Sequence, residues 1–196
     1  MADVKVRLDE AMGTSLIMLY GLAHDARGTD PILGDAVAAE AYDKVDYDWA
    51  RLKLNPRNIP IAVSSRAKHF DDWASEFLAR HERAVVLHLG AGLDPRVWRV
   101  DPGPGVTWTT STTPASSRCD GRSFLSGRTT IYWAIDAPDD LVRVNPALRC
   151  TDSVSGLALV AETPQLFAGW RLFAKLASLI PKVRDSGLFV RYAFGA

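Results

Sequence analysis

Residues 84–94 read AVVLHLGAGLD, a short β-branched apolar run, interrupted only by His88, that passes directly into two glycines one residue apart. Such a run predicts a buried strand of a parallel sheet ending in a tight turn. Glycines at that junction let a ligand approach backbone that side chains would otherwise shield. The junction therefore points to an α/β fold whose ligand face lies at residues 90–92.

The flanking pattern agrees with helices before the strand. Leu8, Met12, Leu16, Leu19, Tyr20 and Ala23 recur at helical spacing and predict an amphipathic helix ending by Gly28. Residues 36–42 are helix-prone, Tyr47 and Trp49 supply aromatic anchors, and Asn55, Pro56 and Pro60 read as breakers. Phe70, Trp73, Ala74, Phe77 and Leu78 mark a stronger helix that stops near His81. Beyond the strand, residues 131–135 and 157–160 read as further strands. Leu172, Phe173, Leu176, Leu179 and Ile180 form one face of a helix closed by Pro181, and residues 187–194 form a final strand.

A chain of 196 residues suits one domain. Its 23 basic and 23 acidic residues balance, which disfavours nucleic acid or an anionic membrane as partner. No apolar run approaches the roughly 20 residues a membrane span needs, and the first twenty residues carry too many charges for a signal peptide. Cys119 and Cys150 have neither metal-site nor redox spacing, so the expectation is a reduced, cytoplasmic setting with no metal.

The glycine turn itself restricts the ligand. A dinucleotide fingerprint needs a small residue at position 95, where Pro95 stands, and the lysine and hydroxyl of a phosphate loop are missing too. A dehydrogenase-like reading is accordingly disfavoured. The longer string VLHLGAGLDPR over residues 86–96, followed by WRVDP, resembles the first motif of class I S-adenosylmethionine-dependent methyltransferases. It is closest to the branch of leucine carboxyl methyltransferases and tetracenomycin-type polyketide O-methyltransferases, in which Pro95 is usually threonine. The segments DYD at residues 46–48 and RAKHFDDW at residues 66–73 look like that branch's N-terminal cap.

The resemblance implies a Rossmann-like methyltransferase sheet with an N-terminal helical cap. The expected single domain divides into a cap over residues 1–83, the cofactor strand and turn over 84–108, an irregular insert over 109–128, and the rest of the sheet over 129–196. It implies S-adenosylmethionine as cofactor, held by Gly90, Ala91, Gly92 and Asp94, with Arg66 reaching the methionine carboxylate; the plain alternative for Arg66 is a surface helix charge. Asp94 either accepts from the ligand or turn amides or caps the next helix. Lys68 stands where the family has a second arginine. Asp71 and Asp72 read as solvated charges on different sides of a helix, and His88 as a hydrogen-bonded buried imidazole rather than a general base. No catalytic base can be named. The activity implied is methyl transfer to a carboxylate or hydroxyl of a small, polyketide-like molecule. The alternative is a catalytically inactive remnant or interaction protein.

The resemblance breaks after Trp108. An acid near the end of the second strand would bond the ribose hydroxyls, and the family reads there something like WYDVDYP; this chain reads WTTSTTP, with no acid from residue 102 through 119. Residues 102–135 hold twelve Ser or Thr, and Asp120 is their single acid. L159-V-A-E-T and the tail offer short likenesses to later strands. The 88 residues after Trp108 suffice for about three strand–helix units of roughly 30 residues, so the closing strands are expected to be missing and the exposed sheet edges to favour self-association. The codons TAC-GAC-GTC-GAC-TAC-CCC for YDVDYP become those for TTSTTP when the first base is lost and a G follows. A deleted base is the hypothesis that explains the hydroxyl run and the missing acids together. Sequencing the gene is expected to show an acidic strand-end motif in the alternative frame across codons 109 to 122, and its absence there refutes the hypothesis.

Overall fold

The computed structural model describes residues 13–110 and 137–194, which fall in two compact units, Met1–Thr129 and Thr130–Ala196. The first begins with α1 (Gly13–Ala26), α2 (Ala36–Lys44) and α3 (Asn58–Leu78). Leu16, Leu19 and Ala23 occupy one face of α1, as their spacing predicts, and all are buried. Leu8 and Met12 lie outside the described residues. Leu19 and Leu22 pack on Ala38 of α2 and on Val63 and Ala67 of α3, with Tyr42, Trp49 and Leu93 around them. Tyr42 and Trp49 stack at 4.2 Å between ring centroids, so Trp49 is an anchor of this core.

Polar residues set the joints between these helices. The buried Asp25 carboxylate accepts from the N–H groups of Ile32, Leu33 and Gly34 at 2.9, 2.9 and 3.1 Å, which folds the chain back after α1. Asp35 then caps α2 by accepting from Ala38 N–H at 2.9 Å. Pro60 does not break the chain. It is the third residue of α3, in the first turn, where a missing N–H costs no intrahelical bond. Asn55 Oδ1 accepts from the N–H groups of Arg57 and Asn58 and starts that helix.

Strand β1 (Ala84–His88) pairs in parallel with β2 (Val106–Thr110), Ala84 opposite Val106 and His88 opposite Thr110. The parallel strand is where the sequence puts it, and β2 runs on through Thr109 and Thr110 of the hydroxyl stretch. Burial differs from the expectation of a strand covered on both faces. Val85 and Leu87 are 69% and 63% exposed, and Leu89 beyond them 74%, because the helices of this unit among the described residues cover one face alone. Helix α4 (Arg96–Val100) lies between the two strands in sequence.

The second unit contains α5 (Asp139–Val144), β3 (Leu148–Ser155), α6 (Gly156–Glu162), α7 (Ala168–Ala177), α8 (Pro181–Arg184) and β4 (Leu188–Phe194). The predicted final strand is β4, antiparallel to β3 with a bulge between Cys150 and Asp152. Residues 157–160 are helical, not a strand: Ser155 caps them by accepting from Ala158 N–H, and the Ala- and Leu-rich run after it favours a helix. The predicted helix over residues 172–180 ends at Ala177, leaving Leu179 and Ile180 outside it. Pro181 opens α8 instead of closing α7, since proline suits the first helical turn. Leu172, Phe173 and Leu176 are exposed. The predicted strand at residues 131–135 lies outside the described residues. The molecule is thus mixed α/β, with two small sheets among the described residues.

A close helix crossing in the first unit supplies a test. A Cβ added at Gly21 of α1 would sit 2.6 Å from Val63 Cβ of α3, so the helices approach as closely as they do because position 21 has no side chain. Gly21→Ala is expected to cost about 1–3 kcal/mol by overpacking. In chemical denaturation, Val63→Ala should recover part of that loss in the double variant; simple additivity would show that the crossing does not set the packing.

Candidate functional site

The bend after β1 is built on two left-handed residues, Gly90 at φ +65° and Gly92 at φ +57°, a region other residues enter only with strain. The N–H of Asp94 closes it by donating to Ala91 O at 3.0 Å. Ala91 itself is buried. The two glycines serve different neighbours. A Cβ at Gly90 would meet nothing within 4 Å, so that side of the bend is open. At Gly92 it would run into Ser15 Oγ and come within 3.1 Å of Ser15 Cβ, so the second glycine admits α1.

Asp94, Arg96 and Arg99 belong to a buried ion-pair network. Arg99 Nη1 donates to Asp35 Oδ2 at 2.5 Å, Nε to Asp71 Oδ2 at 2.7 Å and Nη2 to Asp94 Oδ1 at 3.0 Å. Arg96 donates to Asp71 Oδ1 at 2.7 Å and to Asp94 Oδ2 at 3.0 Å, with its guanidinium over the Phe70 ring. Burial alone would loosen the Arg99 proton, but the hydrogen bond and charge of Asp71, with the charge of Asp94 and the hydrogen bond to Asp35, outweigh it and raise the pKa. Asp94 therefore holds the bend in place through two arginines, and it does not cap α4, whose first turn has no side-chain cap. Asp71 is not a solvated charge as expected: both its oxygens are taken by guanidinium groups inside the fold. Asp72 does point outward and pairs with Lys68 at 2.9 Å on the surface.

Arg66 stands apart from this saturation. Its side chain is half-buried, and among the described residues it forms no ion pair; Nη2 donates to Met18 Sδ at 3.8 Å. Burial lowers its pKa, opposed by the charge of Asp94 and reinforced by Arg96. His88 lies with Nε2 3.9 Å from Asp94 Oδ2, too far for a hydrogen bond, and edge-on to Trp108. Burial first, and then the nearby Arg96, holds the imidazole below its ordinary pKa, in the neutral form at pH 7.

A cavity of about 480 Å³ lies across the same network, lined by Asp35, Lys68, Asp72, Trp98 and Arg99 among others; the bend and Arg66 are not in its wall. Among the described residues no group of His, Cys, Asp and Glu is arranged to hold a metal ion. Sequence reasoning missed Asp35, Asp71, Arg99 and Ser15. Arg96 and Arg99 do lie three apart, on one helix face, but beyond the nearby Asp94 their acidic partners Asp71 and Asp35 come from segments more than twenty residues away.

Residues 20–108 match the family model described as leucine carboxyl methyltransferase. The chain is 43% identical over 103 residues to the tetracenomycin polyketide synthesis O-methyltransferase of Streptomyces glaucescens, and 31% identical over 112 residues to an S-adenosyl-L-methionine-dependent methyltransferase of Gibberella zeae. Each match covers 53% of this chain and 38% of the relative, so the chain spans well under half the length of the curated relatives it matches. No solved structure matches it. Over about half its length, then, the sequence is related to S-adenosylmethionine-dependent methyltransferases.

The network has a measurable weight. Asp71→Asn, which leaves two buried guanidinium groups short of a counter-charge, is expected to destabilise the protein by about 3 kcal/mol. Asp72→Asn, next along the same helix but paired at the surface, should cost less than about 1 kcal/mol. Equal losses for the two in urea unfolding would contradict the assignment of Asp71 to the core of the fold.

Proposed function

We propose that this chain, related over about half its length to the leucine carboxyl methyltransferases, is an S-adenosylmethionine-dependent O-methyltransferase whose cofactor site is built on the bend after β1. In this reading β1 and β2 begin a Rossmann-like sheet and α1–α3 form its helical cap. The observation that carries it is Arg66, a half-buried guanidinium beside the bend with no ion pair among the described residues. A buried cation in that state gains from an incoming carboxylate, and its planar fork matches one. The open side of Gly90 is compatible with a ligand lying against the main chain. These residues fit the amino-acid end of S-adenosylmethionine.

When bound, that cofactor supplies a methyl group activated on a sulfonium centre. The chain's own contribution is then positional. Arg66 orients the amino-acid end, the open side of Gly90 presents bare backbone, and Asp94, held by Arg96 and Arg99, keeps the bend in shape. Holding donor and acceptor at near-attack distance provides much of the rate enhancement in transfers of this kind. The acceptor class is a small molecule offering a carboxylate or hydroxyl oxygen, in keeping with the polyketide O-methyltransferase relative. His88, neutral and facing Asp94, is given no acid–base role. No helix among the described residues is long and apolar enough to cross a membrane, and we assign a cytoplasmic location and no nucleic-acid partner.

One observation favours a second reading, an inactive methyltransferase remnant that works through binding alone. Strand β2 ends its described part in Thr109 and Thr110, hydroxyls where a ribose-binding acid is expected, and hydroxyls accept without the strength of a carboxylate. Calorimetric titration with S-adenosylhomocysteine tests both. Binding is expected, with Arg66→Ala weakening it by about tenfold or more through loss of a charged hydrogen-bond donor. Absence of heat at millimolar ligand would sink the cofactor assignment. Binding without transfer of labelled methyl to carboxylate and hydroxyl acceptors would favour the remnant.

A further inference from the structure

Helix α1 reaches the same site through two residues one turn apart. Ser15 sits in the notch left by the missing Cβ of Gly92, and Met18, three residues on and so on the same face, accepts from Arg66 Nη2 at 3.8 Å. The seat of Ser15 against the bend thus fixes where the Met18 backbone lies. A half-buried guanidinium needs some acceptor while it waits for an anion, since leaving such a group wholly unmet is costly. A thioether is a weak acceptor. It can meet the fork without competing seriously with a carboxylate, whose charge-assisted bonds are far stronger.

We propose that Met18 is a placeholder for Arg66, a weak acceptor that meets the guanidinium in the free protein and yields it to the carboxylate of the ligand. This deepens the proposed function and rests on it. Acceptor strength at position 18 then tunes affinity for carboxylate-bearing ligands and for no others. The neighbouring arginines show the contrast: Arg96 and Arg99 are held by two and three aspartates and are not exchangeable.

The test compares two probes by calorimetry: S-adenosylhomocysteine, which carries the amino-acid end, and 5′-methylthioadenosine, which lacks it. Met18→Gln places a carbonyl acceptor of similar reach beside Arg66. It is expected to weaken S-adenosylhomocysteine about tenfold, the worth of one added hydrogen bond to a charged group, and to leave 5′-methylthioadenosine unchanged. Met18→Leu, which keeps bulk and removes the acceptor, should leave S-adenosylhomocysteine affinity at or above that of the natural protein, and thermal unfolding of both variants verifies the fold. If Met18→Gln shifts both probes alike, or shifts neither while the natural protein binds S-adenosylhomocysteine, the placeholder role is refuted and the cofactor site stands. If the natural protein binds neither probe, the cofactor assignment and this inference fall together.

Discussion

Arg99 holds three carboxylates from three separate parts of the first unit: Asp35 at the start of α2, Asp71 in the middle of α3 and Asp94 in the bend after β1. Arg96 doubles the links to Asp71 and Asp94. Their side chains are at most 15% exposed, so none of these charges is well hydrated, and each relies on its partners. In such a place a complete set of partners is worth far more than any one pair, because removing one member strands the others in a medium that solvates them poorly. The glycine bend inherits its position from this cluster. Apolar contacts between α3 and α4 set distance, and the cluster adds direction.

That rigidity throws Arg66 into relief. It lies close enough to Asp94 and Arg96 to feel both charges, yet Asp94 is already spent on two other arginines. The fold therefore saturates the charges that shape the bend and leaves one cation beside it with a sulfur for company. The two glycines divide the bend in the same manner. One faces open space and the other is filled by Ser15, so the backbone freedom of the pair leaves the bend open on one side and admits a helix on the other.

Apolar surface tells a different story in each unit. The outer face of β1 carries Val85 and Leu87 into solvent, with Leu89 just beyond it, and in the second unit Phe167, Trp170 and Phe173 are likewise exposed. At about 25 cal/mol per Å2 such surface is stabilisation the fold forgoes. The core of the first unit lies instead among α1, α2 and α3, where Leu16, Leu19 and Leu22 are fully enclosed. The helices here are better supported than the sheet they precede.

Local periodicity made α1, α2, β1, β4 and the presence of a helix before residue 81 legible in the sequence, because each is specified by neighbours within one or two turns or by a β-branched run bounded by glycine. The position of the bend, at residues 90–94, is equally local, since only glycine accepts its backbone angles without strain. Residues 157–160 were misread because an apolar run of four suits a strand or a helix, and the cap at Ser155 decides between them. What the tertiary structure alone decided is which charges meet. Asp71 and Asp72 are identical side chains one position apart, and the sequence treats them alike; a rotation of about 100° around α3 sends one into the Arg96–Arg99 cluster and the other to Lys68 in water. Ion pairs between segments leave no periodic trace in the chain, so their geometry exists only once the helices have packed.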